Sequence, residues 1–283
     1  MKYIDVSTWQ GKIDWEKVKG NIAGAILRAG YGKGKPDEQF ARNAAECNRL
    51  GIPCGAYWFS YAKNAEEAKA EARHLLAAVK PYRMELPLCY DFEYASVDNA
   101  KAQGVEITKE LASSFVTAFC EEIERGGYWA LNYANPDYLN RLYDEKLTER
   151  FGLWLAAWKL SGGADLSDPP RRCDIWQWGL STVPGIAGSV DTNESYRDFP
   201  KIIRQAGLNH LNSYAEDDGS MTWEYAQQPQ KPTDPAQDAL KWAQDLGIVT
   251  GSTETDKSIA LALWRYHSVT TPEDNKTTSG LLE

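Results

Sequence analysis

The chain has 283 residues, 43% hydrophobic and 25% charged, with a net charge of −9; it can bury a barrel-sized core, and disorder or a collagen-like repeat is excluded for most of its length. The acidity is concentrated, because residues 214–283 carry 5 basic and 12 acidic side chains while residues 1–213 carry 26 and 28. No basic stripe marks a nucleic-acid partner, and no apolar stretch is long enough for membrane insertion.

In chain order, β-rich apolar runs at 2–7, 23–32, 53–61, 86–94, 129–134, 153–158, 174–179 and 189–193 read as strands. Helical patterns fall between them at 14–18, 37–50, 64–79 and 108–125; the third opens with Asn64 as N-cap and Glu67 three residues later. Strands alternating with helices predict βα units around a parallel sheet, and eight strands point to closure. After Trp154 the helical pattern fades, so the last strands are expected to connect by loops. The expected fold is α/β: an irregular (β/α) barrel of about eight strands and about five helices over residues 1–213, plus a small helical C-terminal module.

Residues 214–235 are polar, acidic and then Gln/Pro-rich, which predicts a linker. A helical module follows at 236–270, where Leu240, Ala243 and Leu246 share one helix face and Gly247 to Gly251 break it before a second helix. Its core is too small to stand alone, so it is expected to pack on a partner such as a copy of itself; Lys241-Trp242-Ala243, Gly247-Ile248-Val249-Thr250-Gly251 and Leu263-Trp264-Arg265-Tyr266 resemble a half-repeat of surface-layer-homology type, which implies a cell-wall-binding role. Residues 271–283 are polar and are expected to form a flexible tail. Met221, one of three Met, would allow an internal translation start.

The five Cys are odd in number and lack CxxC spacing, which argues for buried free thiols rather than a disulfide framework or zinc knuckle. The three His, at 74, 210 and 267, are dispersed without metal-ligand spacing, so neither a metal nor a cofactor is expected. There is no Gly-x-Ser-x-Gly elbow. Gly30-Tyr31-Gly32-Lys33-Gly34 lacks the spacing of a phosphate loop and reads as a strand-end turn.

The segment 86–94 carries the most information. Asp91 and Glu93 stand at i and i+2 near the end of an apolar strand, so both side chains face one side, which in a barrel is the interior near the C-terminal rim. Like charges crowded in such a mouth push one pKa up and leave a proton donor beside an anion, the apparatus of glycosidic cleavage. Asp5 closes the first strand and Asp191 lies in the last, so four acids can converge on one rim, although either aspartate alone would read as a cap or turn residue. Aromatic residues recur at strand ends: Trp9, Tyr31, Tyr57, Trp58, Tyr61, Tyr133, Trp154, Trp158, Trp176 and Trp178. Some are candidates for a sugar groove and others for plain core.

These blocks resemble the glycoside hydrolase family 25 muramidases, the Chalaropsis-type lysozymes of bacteria and phage endolysins. The resemblance covers residues 2–208 and rests on Asp5-Val6-Ser7 with Trp9-Gln10-Gly11, on Leu27-Arg28-Ala29-Gly30-Tyr31-Gly32, on Gly55-Ala56-Tyr57-Trp58-Phe59-Ser60, on Asp91-Phe92-Glu93, and on Trp176-Gln177 leading to Val190-Asp191-Thr192-Asn193. It departs at Trp158 and Trp178, where the family usually has Tyr. The resemblance implies cleavage of the β-1,4 bond between N-acetylmuramic acid and N-acetylglucosamine by a substrate-assisted route, with Glu93 as general acid, Asp91 steadying the oxazolinium-like charge, and Asp5 and Asp191 tuning them. It also implies a peptidoglycan-binding surface at Trp9, Arg28, Tyr31, Tyr57, Phe59, Tyr61, Tyr133, Trp154, Trp158, Gln177 and Trp178. A chitinase-like glycosidase and a non-catalytic wall-binding protein are the alternatives. With no leader visible at the N-terminus, the expected setting is a phage endolysin made in the host cytoplasm and reaching the wall by holin-type release.

Overall fold

The computed structural model describes residues 1–158 and 168–211. The linker 214–235, the module 236–270 and the tail 271–283 lie outside the described residues. The chain divides into two units, Met1–Pro200 and Lys201–Glu283, and the sheet belongs to the first.

Among the described residues, nine strands form one sheet: β1 (Lys2–Val6), β2 (Gly24–Tyr31), β3 (Lys35–Pro36), β4 (Cys54–Phe59), β5 (Leu88–Asp91), β6 (Ala130–Ala134), β7 (Leu153–Ala156), β8 (Ile175–Ser181) and β9 (Val190–Ser195). Their order is β1-β9-β8-β7-β6-β5-β4-β2-β3, and a further parallel pairing of β1 with β2 closes eight of them into a barrel. β3 is a two-residue antiparallel flap on β2. Apart from β3, neighbours are parallel from β1 through β8, but β9 runs antiparallel to both β8 and β1. The expected parallel sheet is therefore mixed. Only residues 182–189 separate β8 from β9, too few for the crossover that a parallel pair requires, so the chain turns straight back.

The helices are α1 (Trp15–Val18), α2 (Phe40–Leu50), α3 (Ala65–Val79), α4 (Tyr94–Ala102), α5 (Lys109–Arg125), α6 (Pro136–Arg141), α7 (Glu145–Phe151) and α8 (Phe199–Gln205). α3 begins as expected, with the Asn64 side chain accepting the Glu67 N–H at 2.8 Å. α2 starts at Phe40 instead of residue 37, because the Asp37 carboxylate turns the chain by accepting the N–H groups of Thr8 and Gln39. α4, α6, α7 and α8 were not foreseen. α4 buries little besides Ser96 and Ala100, so it carries no apolar stripe to detect. α6 did have a local signal: Asn135 caps Tyr138 and Pro136 opens the helix.

Alternation along the strands builds two apolar layers. Ile4, Val6, Leu27, Ala56, Trp58, Leu88, Tyr90 and Leu155 point outward into the main core cluster, which they share with helical residues such as Leu75, Phe115 and Phe119. The intervening residues turn into the barrel, where Tyr3, Ile26 and Leu131 are fully buried. Small residues make room at the N-terminal end of the lumen: a Cβ on Gly55 would stand 2.4 Å from the Pro87 carbonyl oxygen and 2.8 Å from Leu86 Cβ, and one on Gly24 would stand 2.9 Å from Leu86 Cδ1. That end is plugged with side chains, leaving the opposite end for a site. None of the five Cys forms a disulfide, and all but Cys173 are buried.

Gly55→Ala is expected to destabilise the fold by about 1–3 kcal/mol through overpacking against backbone. A urea midpoint matching the parent's would show that the strand can shift to accept a methyl group.

Candidate active site

Because seven barrel strands are parallel, their C-terminal ends share one rim, and β9, running the other way, begins there. Asp5 of β1 is the direct register partner of Asp191 of β9. Around the rim, Arg28 pairs in register with Tyr57, Phe59 with Asp91, Asp91 with Tyr133, Tyr133 with Trp154, and Gln177 with Asn193. Glu93 lies two residues past the end of β5 with its backbone still extended (φ −126°, ψ −175°), so it stays on the face of Asp91 and caps α4. Between them, Phe92 is buried outward and packs against Phe115 at 5.7 Å and Tyr90 at 6.2 Å. The Glu93 N–H donates to the buried Ser96 Oγ at 3.1 Å, fixing the backbone from the helix side.

The rim encloses a cleft of about 470 Å³. Asp5, Asp91, Glu93 and Asp191 all line it, as do Trp9, Arg28, Tyr57, Phe59, Tyr133, Trp154, Trp158 and Gln177. Tyr31 and Tyr61 line adjoining hollows instead. Trp178 is not among the lining residues: alternation after Gln177 turns its ring out to the main core cluster, beside the register shift between Gln177 and Gly179. Val6, Ser7 and Gln10 also line the cleft and were missed. Ser7 and Gln10 form a capping box whose spacing was legible: Ser7 N–H donates to Gln10 Oε1 at 2.8 Å and Trp9 N–H to Ser7 Oγ at 3.2 Å. The turn holds Trp9 at the rim, 83% exposed.

Two side-chain amides hold Asp5. Its Oδ2 accepts Gln177 Nε2–H at 2.9 Å and Asn193 Nδ2–H at 2.8 Å. The Gln177 carbonyl in turn accepts Tyr133 O–H and Trp158 Nε1–H, both at 3.0 Å, and the Asn193 carbonyl accepts Trp154 Nε1–H at 2.7 Å. The indole of Trp158, which departs from the family's Tyr, thus supplies a donor to Gln177. Arg28 donates to Asp37 at 2.8 Å, and Asp37 is 5% exposed. Neither Asp37 nor Asn193 was singled out from sequence as a supporting residue, since the partners lie far apart in the chain or read locally as a turn. Asp91 Oδ1 is buried and has no hydrogen-bond partner among the described residues.

Burial shifts all four carboxyls upward, and crowding adds to it at Asp5, Asp91 and Glu93. Burial, then the charge of Asp191, raises Asp5 from 3.8 to about 7. Burial, then Glu93 and Asp5, holds Asp91 well above the ordinary range, with Arg28 acting against them. Glu93 is raised by burial and then by Asp191, and Asp191 by burial. The site can therefore keep a proton on a carboxyl near neutrality. Among the described residues no group of three or more His, Cys, Asp or Glu is placed to hold a metal ion.

A raised carboxyl means that the native state binds protons the unfolded chain has released, so its contribution to stability is complete below the unfolded value near 3.8 and is lost as pH rises through about 7. Asp191→Asn removes one raised carboxyl and the charge pressing on Asp5. Chemical denaturation at about pH 5 and about pH 8 is expected to show a shallower loss of stability in this variant than in the parent, the remaining slope being carried by Asp5, Asp91, Glu93 and Glu71, which burial still raises. Equal slopes would show that the two aspartates do not share the charge.

The Glycosyl hydrolases family 25 profile matches residues 4–186. Lysozyme M1 of Streptomyces globisporus is 26% identical over 212 residues, 72% of this chain and 70% of that protein. The modular autolysin LytC of Streptococcus pneumoniae, solved in complex with a synthetic peptidoglycan ligand, is similar at 30% identity and a TM-score of 0.57; the match covers 68% of this chain but 46% of LytC, so the chain spans less than half of that protein. The catalytic domain of endolysin ply40 from bacteriophage P40 of Listeria monocytogenes has a similar fold at 19% identity and a TM-score of 0.55, over 71% of this chain and 95% of that one. The family match runs from the first strand to the loop before β9 and takes in well over half of the chain, and the protein belongs to glycosyl hydrolase family 25.

Proposed function

We propose that the barrel is a muramidase that cuts the β-1,4 bond between N-acetylmuramic acid and N-acetylglucosamine in bacterial peptidoglycan. Family membership makes the protein a glycoside hydrolase of the lysozyme kind. The finer reading rests on one observation: Asp91 is sealed and Glu93 half-buried in a single cleft with Asp5 and Asp191.

Repulsion and burial keep a proton within the Asp91–Glu93 pair. Glu93 is the more open of the two and stands where a bound sugar chain reaches, so it delivers that proton to the leaving glycosidic oxygen. As the C–O bond breaks, the oxygen of the sugar's own 2-acetamido group closes on the anomeric carbon, and the Asp91 carboxylate at the cleft wall accepts its N–H. Water then opens the oxazolinium ring, its proton passing to the Glu93 carboxylate, and the anomeric configuration is retained. Asp5, held in place by the amides, and Asp191 keep the acid pair protonated. The exposed faces of Trp9 and Trp158 offer stacking surfaces for sugar rings. The C-terminal module would bind the wall or pair with a second copy.

Glu93→Gln is expected to keep the parent's circular dichroism spectrum and melting curve and to lose lytic activity by roughly a hundredfold or more, as the carboxyl that reaches the leaving oxygen is gone; near-normal activity would remove Glu93 from this role. The new reducing end in digested peptidoglycan decides between readings: muramic acid is expected, glucosamine would point to a chitinase-like specificity, and no new end to a non-catalytic wall binder. Deleting residues 221–283 is expected to weaken sedimentation with purified walls or lower the oligomeric mass, and a truncated protein unchanged in both would dismiss the module's role.

A further inference from the structure

The rim does not end at the cleft. A hollow of about 500 Å³ shares Trp9, Arg28 and Phe59 with it, and a second hollow of about 330 Å³ shares Tyr31, Lys35 and Tyr61 with the first. Shared walls make these one depression running outward from the acids. Its polarity reverses along the way: the far hollow is lined by Lys33, Lys35 and Lys63, which the hydrolytic reaction does not use.

These lysines are held by the fold. β3 folds back on β2 with Tyr31 opposite Lys35, and Gly32 at φ +51° and Gly34 at φ +84° supply the left-handed turn that puts Lys33 at the tip. Lys35 Nζ lies 5.1 Å over the Tyr31 ring. Lys63, with a side chain only 19% exposed, donates to Gln103 Oε1 at 2.7 Å, and Gln103 is braced by Asn99 Oδ1 at 2.7 Å. Within ion-pairing reach, Lys33 and Lys63 share the single carboxylate of Glu67, at 3.7 and 4.0 Å. Glu38 lines the nearer hollow, where the carboxylate of Asp37 is taken by Arg28. The far hollow therefore carries an excess of positive charge beside an acidic cleft.

We propose that this hollow binds carboxylates of the peptide stem borne by the muramic acid residue, so that the enzyme recognises peptide-bearing glycan over bare glycan. The proposal rests on the muramidase reading above. The stem is covalently joined to the sugar whose bond is cut, so it must leave the cleft along some part of the rim. Each extended residue carries it about 3.4 Å further. The depression past Tyr31 and Tyr61 gives such a peptide apolar walls on the way and ammonium groups at the far end. Exposed ion pairs of this kind are individually weak and screened by salt, so the signature is a modest, additive and salt-sensitive preference.

The test uses the full-length protein and two glycan substrates from walls stripped of phosphodiester polymers: strands with their stem peptides, and the same strands after amidase removal of the peptides. The triple variant Lys33→Gln, Lys35→Gln, Lys63→Gln is expected to lower the ratio of kcat/KM on peptide-bearing to peptide-free glycan about tenfold, and to flatten the fall of that ratio with added salt. The double variant Lys33→Gln, Lys35→Gln, which leaves the Lys63 network intact, is expected to fall between triple variant and parent and serves if the triple variant does not fold. A parent that cuts both glycans with a ratio unmoved by either set of substitutions overturns the stem subsite and leaves the muramidase reading standing. In a parallel assay on unstripped walls, an effect of the substitutions seen there and absent from both stripped glycans assigns the hollow to a phosphate polymer and likewise overturns it. A parent that cuts neither glycan sinks the muramidase reading and this proposal together.

Discussion

Keeping four carboxyls together at the mouth of a barrel is the constraint from which the site's other features follow. Ionised together, they would repel across a medium that screens poorly, so burial pushes each toward its protonated form and neighbouring charge adds to this at Asp5, Asp91 and Glu93. The cleft's one basic lining residue among those described, Arg28, is itself engaged by Asp37 and opposes the upward shift of Asp91 only in part. A site built this way stores protons near neutrality, which is what an acid catalyst of glycoside cleavage needs.

Such crowding survives only if the acids cannot swing away from one another, and the amides around Asp5 supply that restraint. Tyr133 and Trp158 both donate to the Gln177 carbonyl, and Trp154 to that of Asn193, so each amide must turn its NH₂ toward Asp5. The network joins β1, β6, β7, β8 and β9 across the lumen. The irregularity of the barrel is part of the device. Because β9 enters antiparallel, its first residues rather than its last meet the rim where the parallel strands end, and Asp191 comes to lie opposite Asp5. A parallel last strand would carry that side chain to the plugged end, among Tyr3 and Leu86.

Seven of the eight barrel strands were legible from the sequence because each carries a short apolar run bounded by polar or turn residues, and four helices because they carry an apolar face. Asp91 and Glu93 were legible together for a simple reason: a separation of two on an extended chain fixes both to one side whatever surrounds them. What stayed hidden had no periodic signal. α4 buries almost nothing, Asp37 looked like the start of a helix, and Asn193 read as one more polar residue in a strand. Trp176, Gln177 and Trp178 show the limit well. Three large residues in a row fit a sugar groove equally from composition, yet alternation sends only Gln177 inward. The residue sequence by itself determined which chemistry was affordable, because carboxyl spacing and apolar strand length are local properties. Only the tertiary structure decided which acids meet, how far their protons are held, and where the rim turns from negative to positive, because these depend on register, closure and burial between segments as far apart in the chain as Asp5 and Asn193.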